Sequence, residues 1–163
     1  MMPNHGFSHV GVSTHAMDDT IAFYEGLLGF SRVVESVTST SGGGTIREVY
    51  FDLGEGQFIV FMEPKGVPGI GDDYDTGING ALGLPRGMYH FALKVASMSD
   101  LESRRGTLAN HGVEVSAIID LGHARSIFCF DPNGIQLEFC WQTRRFDESD
   151  LHRVAEATLA PPS

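Results

Sequence analysis

The sequence is poor in cysteine, in basic residues and in long hydrophobic runs. Its two cysteines, Cys129 and Cys140, allow one bridge at most, so no secreted disulfide framework is predicted. Lysine and arginine together number 11 against 21 aspartates and glutamates, and the net charge of −10 argues against binding to a phosphate backbone. The longest clean apolar run, residues 58–62, is too short to cross a bilayer. We therefore expect no nucleic-acid partner and no membrane span.

The start of the chain also lacks the pattern of a secretory signal, which is a basic stretch followed by an apolar one. The 163 residues, 42% of them hydrophobic, suffice for one domain with a sizeable core. From these features we expect a cytoplasmic protein with a single domain over residues 1–163, in which both cysteines are buried free thiols.

Two segments half a chain apart repeat one order of predicted elements: a strand, a helix and three further strands. The first module spans residues 5–63 and opens with FSHVGV, and the second spans 88–141 and opens with MYHFALKV. In each opening strand, apolar residues alternate with small or polar ones. The predicted fold class is therefore α+β, with two βαβββ modules.

Helices and turns of both modules carry local signals. The first helix is marked by apolar residues at helical spacing that end before Gly29, namely Met17, Ile21, Tyr24 and Leu28. In the second helix, Ser99 followed by Glu102 predicts a capping box. Glycine-rich turns at 54–56 and 131–134 predict the last hairpin of each module.

The modules are joined by residues 64–87, which contain seven glycines and three prolines. A connection of this length is equally consistent with a plain linker and with a mobile rim that orders when substrate binds. After the second module, the tail of residues 142–163 contains a predicted short helix over 147–159 and a proline-rich end.

Each opening strand carries a histidine beside a small residue, His9 with Gly11 and His90 with Ala92. Because alternate residues of a strand share a face, the small neighbour is expected to leave open space next to each imidazole. The last strand of the second module carries Glu138 opposite its bulky apolar residues, and a buried carboxylate requires a partner. Two imidazoles and one carboxylate are typical donors to a divalent metal ion.

The motifs SHVGV, AFYEGLLGF, YHFALKV and SIFCFDPNGIQLEF resemble the vicinal oxygen chelate superfamily. This superfamily contains glyoxalase I, fosfomycin-resistance proteins, bleomycin-binding proteins, methylmalonyl-CoA epimerase and type I extradiol dioxygenases. The resemblance covers Phe7 to about Trp141. It implies a cupped mixed sheet, built from paired modules around a divalent metal ion, with His9, His90 and Glu138 as ligands.

Members with four protein ligands, such as glyoxalase I, differ from this chain at one position. The residue four places beyond the turn glycine is Glu138 in the second module, counted from Gly134, but Val60 in the first, counted from Gly56. Glu63 lies three residues further on and faces the other side of a regular strand. Three protein ligands leave positions for substrate and O₂, as in non-haem Fe(II) oxygenases.

The first functional expectation is a dioxygenase-like enzyme that uses Fe(II) or Mn(II) and acts on a small, catecholic substrate. His123 is its candidate proton donor, although the dioxygenase signature has a tyrosine near Phe128 and a longer spacing after its catalytic histidine than this chain has. The alternatives are a glyoxalase-like lyase or isomerase with Zn(II) or Ni(II), and a non-enzymatic, drug-binding resistance protein. In each case we expect a small-molecule partner and a homodimer.

Overall fold

A computed structural model of the chain describes residues 5–152. By its internal contacts the described chain divides into two compact units, residues 5–82 with 131–135 and residues 83–130 with 136–152. Each unit is built around a four-stranded mixed sheet. Among the residues described, no helix has the length and apolar character needed to cross a membrane.

The first unit consists of a sheet and two helices. Its strands are β1 (His9–Ser13), β2 (Arg32–Ser39), β3 (Thr45–Gly54) and β4 (Gln57–Lys65), and its helices are α1 (Met17–Ile21), continued by a π-helical turn (Ala22–Leu27), and α2 (Ile78–Ala81). The strand order is β1-β4-β3-β2, in which β1 runs parallel to β4 and the other pairs are antiparallel.

The second unit repeats this topology. Its elements are β5 (Phe91–Lys94), α3 (Met98–Asn110), β6 (Ile119–Asp120), β7 (Ala124–Phe130), β8 (Gln136–Gln142) and a 3₁₀ turn (Glu148–Asp150). The strand order β5-β8-β7-β6 again has a parallel first pair followed by antiparallel pairs. The predicted α+β fold with two βαβββ modules is confirmed. The tail helix predicted over 147–159 is represented only by the 3₁₀ turn, and its part beyond residue 152 lies outside the described residues.

The helix of the first unit covers one face of its sheet. Tyr24 is fully buried and stacks on Phe51, with ring centroids 5.3 Å apart. Met17 and Leu28 are buried as predicted, but Ile21 is only half-buried. The α-helical part ends at Ile21, and the chain continues in a π turn that carries the buried Tyr24.

In the second unit, α3 begins earlier than the sequence indicated. Ser97 is the N-cap, and its side chain accepts the N–H of Asp100 at 3.1 Å. The capping box predicted from Ser99 and Glu102 is therefore wrong, because both residues lie inside the helix. The helix packs on its sheet through buried leucines and through Arg104, whose guanidinium lies 5.0 Å from the centre of the Phe139 ring.

The turn between β7 and β8 belongs to the first unit by its contacts. Asp131 accepts the backbone N–H groups of Asn133 (2.9 Å) and Ile135 (2.8 Å) through one oxygen. Its other oxygen accepts the hydroxyl of Tyr24 at 3.0 Å. Burial raises the pKa of the Asp131 carboxyl, while these donors act in the opposite direction. The predicted hairpin turn is therefore also a buried polar anchor beside α1.

Candidate functional site

The second unit brings His90 and Glu138 together on the sheet face opposite α3. His90 immediately precedes β5, and the strand register pairs Ala92 with Glu138, so both side chains project from the same face. The Nε2 atom of His90 lies 3.2 Å from Oε2 of Glu138, whose side chain is only 8% exposed. Two of the residues selected from the sequence are therefore direct neighbours.

Contacts on the far side of the His90 ring decide which nitrogen faces Glu138. Nδ1 lies 3.0 Å from the carbonyl oxygen of Gly87, and a carbonyl only accepts, so Nδ1 carries the hydrogen. The N–H of Gly87 donates to Oε1 of the buried Gln136 at 2.7 Å, which attaches this backbone segment to β8. Gly87 has φ = 93°, a conformation that favours glycine. The nitrogen presented to Glu138 is therefore Nε2, an arrangement common among metal-binding histidines.

Ser126 holds the second oxygen of the Glu138 carboxylate. Ser126 is fully buried on β7, and its hydroxyl donates to Oε1 of Glu138 over 2.5 Å. Its register partner on β8 is Cys140, and burial raises the pKa of that thiol, so Cys140 is uncharged at neutral pH. Glu138 thus has one oxygen bonded to the protein and the other directed at His90.

The facing atoms of His90 and Glu138 fit a cation. An imidazole lone pair and a carboxylate oxygen are both acceptors, and at 3.2 Å they attract each other only through a proton or a metal ion. Bonds of about 2.0–2.2 Å from two atoms this close can meet at one divalent ion. Taken within each unit, the described residues contain no group of three His, Cys, Asp or Glu side chains that could hold one metal ion. In the second unit, His90 and Glu138 therefore form a pair without a third such side chain among the described residues.

His9 occupies the equivalent place in the first unit. Its Nδ1 atom lies 3.2 Å from the hydroxyl of Ser8, and its ring lies 6.3 Å from the ring of Tyr50. The open space expected beside Gly11 is partly filled, since a Cβ there would lie 3.3 Å from the Met62 methyl group. Because methionine is flexible, this neighbour can move aside.

Val60 stands where a four-ligand site would have an oxygen donor. The strand register places Val60 on the same face as His9 and Tyr50. Glu63 lies on the opposite face, where its Oε1 atom accepts the N–H of Met17 at 3.2 Å, at the start of α1. The orientation predicted for Glu63 is confirmed. Its contact with α1 could not be deduced from the sequence.

His123 lies in another part of the second unit. It directly precedes β7, and its ring packs 4.7 Å from the ring of Phe146. Glu138 is paired in register with Phe128. At about 3.3 Å per residue, the five steps from Phe128 back to His123 span roughly 16 Å along the strand. The role of His123 as a proton donor stays a prediction.

Sequence reasoning did not select Ser126, although a signal was present. Ser126 opens the run SIFCF, and the other members of that run are apolar residues or a cysteine. A hydroxyl in a buried strand needs a hydrogen-bond partner, and Glu138 on the neighbouring strand is that partner.

Comparison with protein families matches residues 6–139 to the model of the Glyoxalase/Bleomycin resistance protein/Dioxygenase superfamily. The comparison with curated proteins gave no match.

Solved structures similar to this chain include a glyoxylase/bleomycin resistance protein/dioxygenase domain from Frankia sp. EAN1pec, which is 23% identical with a TM-score of 0.67 over 86% of this chain and 99% of that one. The fosfomycin resistance protein FosX from Listeria monocytogenes, complexed with Mn(II) and sulfate, is 20% identical with a TM-score of 0.57 over 86% and 93%. TnmS3, an antibiotic-binding protein from Streptomyces sp. CB03234, is 14% identical with a TM-score of 0.61 over 88% and 100%. At these identities the likeness concerns the fold alone.

Proposed function

Since the chain belongs to the Glyoxalase/Bleomycin resistance protein/Dioxygenase superfamily, we propose that it is a divalent-metal-dependent enzyme whose ligands are His9, His90 and Glu138. Its substrate in this proposal is a small molecule with two neighbouring oxygen atoms, such as a catechol. The bound metal ion would supply Lewis acidity and open coordination positions for the substrate oxygens.

The observation that carries the proposal is the contact between His90 and Glu138. Nε2 of His90 and Oε2 of Glu138 face each other at 3.2 Å, and the outer atom of each group is already bonded to the protein. A buried carboxylate oxygen beside a neutral imidazole is costly unless a proton or a metal ion lies between them. FosX, whose fold is similar, is complexed with Mn(II).

The residues of the first unit support one type of reaction among those found in the superfamily. The face that carries His9 has Val60 at the position of a further carboxylate, and Glu63 is bonded on the other face. A site with three protein ligands suits a dioxygenase-like reaction with Fe(II) or Mn(II), whereas a glyoxalase-like lyase with Zn(II) or Ni(II) would need a fourth oxygen donor.

Metal titration of the chelator-treated protein tests the proposal. We expect the wild type to bind one Mn(II) per chain by calorimetry, and His9→Ala, His90→Ala and Glu138→Gln to weaken that affinity at least tenfold. Glu55→Gln, which removes an exposed turn carboxylate, is the matched control and should bind as the wild type does. Wild-type protein that binds none of Mn(II), Fe(II), Zn(II) and Ni(II) would contradict the proposal.

Substrate assays then distinguish the reactions. The Fe(II)-loaded protein, prepared without oxygen, should take up O₂ with at least one member of a catechol panel. Activity on a hemithioacetal with Zn(II) or Ni(II) and no O₂ uptake would instead identify a lyase. His123→Gln should lower turnover without changing metal affinity if His123 transfers the proton. Light scattering of the same samples tests the expected homodimer.

A second candidate function, a metal-independent binding protein for a small aromatic compound, is supported by the face around His9. Tyr50 and Phe58 are half-buried there with rings 6.2 Å apart, and Tyr50 also approaches His9. Such rings can stack against an aromatic ligand. TnmS3, whose fold is similar, is an antibiotic-binding protein. Ligand affinity that is unchanged by chelator would favour this second function.

A further inference from the structure

We infer that Ser126 is the positioning residue of Glu138: its hydroxyl holds one carboxylate oxygen, so that the other oxygen is directed at His90 and at the metal ion bound there. The inference rests on the proposed function, because Glu138 is one of the proposed ligands. It extends that function by assigning a task to a residue that would not touch the metal ion.

The contact between Ser126 and Glu138 is specific and shielded from water. Ser126 is fully buried, Glu138 is 6% exposed, and the oxygen atoms are 2.5 Å apart. A carboxylate can only accept, so the Ser126 hydroxyl must donate its hydrogen to Oε1. Bonds of this kind between a hydroxyl and an ionised carboxylate are short and about twice as strong as neutral ones.

The strand register explains how Ser126 reaches this oxygen. Ser126 pairs with Cys140 and Phe128 pairs with Glu138, so Ser126 and Glu138 are diagonal neighbours on one face of the sheet. The last torsion of a glutamate side chain is soft, so the torsion by itself does not fix the plane of the carboxylate. The bond from Ser126 fixes that plane, with an oxygen towards His90, before any metal ion arrives.

The two proposed ligands of this unit are held in the same way. The outer nitrogen of His90 is bonded to Gly87, and the outer oxygen of Glu138 is bonded to Ser126. The inner atoms, Nε2 and Oε2, face each other at 3.2 Å. A neutral hydroxyl also leaves the full negative charge of Glu138 to the metal ion, whereas a lysine or arginine in its place would compete with that ion.

The test measures Mn(II) affinity by calorimetry and the electron paramagnetic resonance spectrum of bound Mn(II). Removal of such an outer hydrogen bond typically costs 10–100-fold in metal affinity, so Ser126→Ala should bind Mn(II) at least about tenfold more weakly, with an altered spectrum. Ser126→Thr, which restores the hydroxyl, should recover most of the loss. Ser116→Ala is the matched control. The Ser116 hydroxyl accepts the N–H of Phe128, which lies on β7 as Ser126 does, but it does not bond to Glu138.

Thermal unfolding of the metal-free variants separates positioning from structure. A merely structural Ser126 would lower the melting temperature of Ser126→Ala and leave the affinity and the spectrum unchanged, which would overturn the inference. Wild-type protein without Mn(II) affinity would overturn the proposed function, and the inference with it. If Ser126→Ala does not fold, Ser126→Cys keeps a similar shape but donates weakly, and wild-type affinity in that variant would also overturn the inference.

Discussion

Two buried glutamates, Glu63 and Glu138, lie on the last strands of the two sheets and are held in different ways. Their exposed fractions are 4% and 6%, so both carboxylates depend on protein contacts. Glu63 bonds the backbone of Met17 through one oxygen, and its other oxygen lies 3.1 Å from Nζ of Lys65. Glu138 meets a hydroxyl and a histidine instead. Glu63 is therefore balanced by one backbone donor and by the charge of a lysine, with no hydrogen bond to its second oxygen, whereas Glu138 is bonded by Ser126 and paired with His90.

This difference predicts opposite effects of the same substitution. Glu63→Gln should keep the Mn(II) affinity of the wild type within about twofold, because the amide oxygen can still accept the N–H of Met17 and the side chain lies on the face opposite His9. Calorimetric titration beside Glu138→Gln checks this expectation. Loss of Mn(II) affinity in both variants would mean that Glu63 belongs to the ligand set, which would favour a glyoxalase-like reaction.

At the scale of single residues, strand alternation was sufficient to place His90 and Glu138 on one face, since the period of two depends only on the backbone. Alternation also placed Glu63 away from Val60. It could not show which nitrogen of His90 faces Glu138, because the bond to Gly87 comes from a segment without a periodic pattern. The contact of Ser126 with Glu138 could be predicted only from the register of β7 and β8, and that register cannot be deduced from the sequence alone.

At the scale of elements, the predictions succeeded where the sequence carried a clear signal, such as a regular spacing of apolar residues or a glycine-rich turn. The order of strands and helices, the hairpin turns and the burial of Met17 on α1 and of Tyr24 on the π turn after it were all recognisable from the sequence. In the second module, the first of the three strands predicted after the helix is reduced to β6 and a single bridge from Val115 to Cys129. The π turn within the first helix carries no local sequence signal.

The anchor between α1 and the turn at residues 131–134 predicts a stability effect. Tyr24→Phe removes the hydroxyl that donates to Asp131, and loss of a buried bond to a carboxylate typically costs about 1.5–3 kcal/mol in the free energy of unfolding. Urea denaturation followed by circular dichroism measures this change. Tyr50→Phe is the control, since Tyr50 is half-buried on the opposite sheet face, and it should change stability by less than about 0.5 kcal/mol. Equal stabilities of the Tyr24 variant and the wild type would show that Asp131 does not depend on this hydroxyl.

At the scale of the whole molecule, the glycine-rich connection over 64–87 is attached to both units by specific contacts. In the first unit the carbonyl of Tyr74 lies 2.8 Å from Nε2 of His15. The hydroxyl of Thr76 donates to the carbonyl of Asn133 at 2.8 Å. In the second unit its last residue, Gly87, bonds to Gln136 and to the ring of His90. Composition indicated a connection without regular structure, although residues 64–65 end β4 and α2 lies within it. It could not indicate these anchors, which depend on tertiary contacts.

The contact of Gly87 with His90 makes the end of this connection sensitive to the proposed metal ion. Metal binding at Nε2 of His90 would fix the ring, and thereby the carbonyl of Gly87 and its N–H bond to Gln136, so amide exchange should slow there.

Hydrogen exchange followed by mass spectrometry, with and without Mn(II), should show protection rising in peptides that cover 82–90. Peptides that cover 66–73, in the other unit, should respond only when a chelating substrate is also present, as expected for a mobile rim. In Gln136→Ala the backbone loses its acceptor, and the protection at 82–90 should shrink. Unchanged exchange over 82–90 in the metal-loaded wild type would show that His90 is not coupled to the connection.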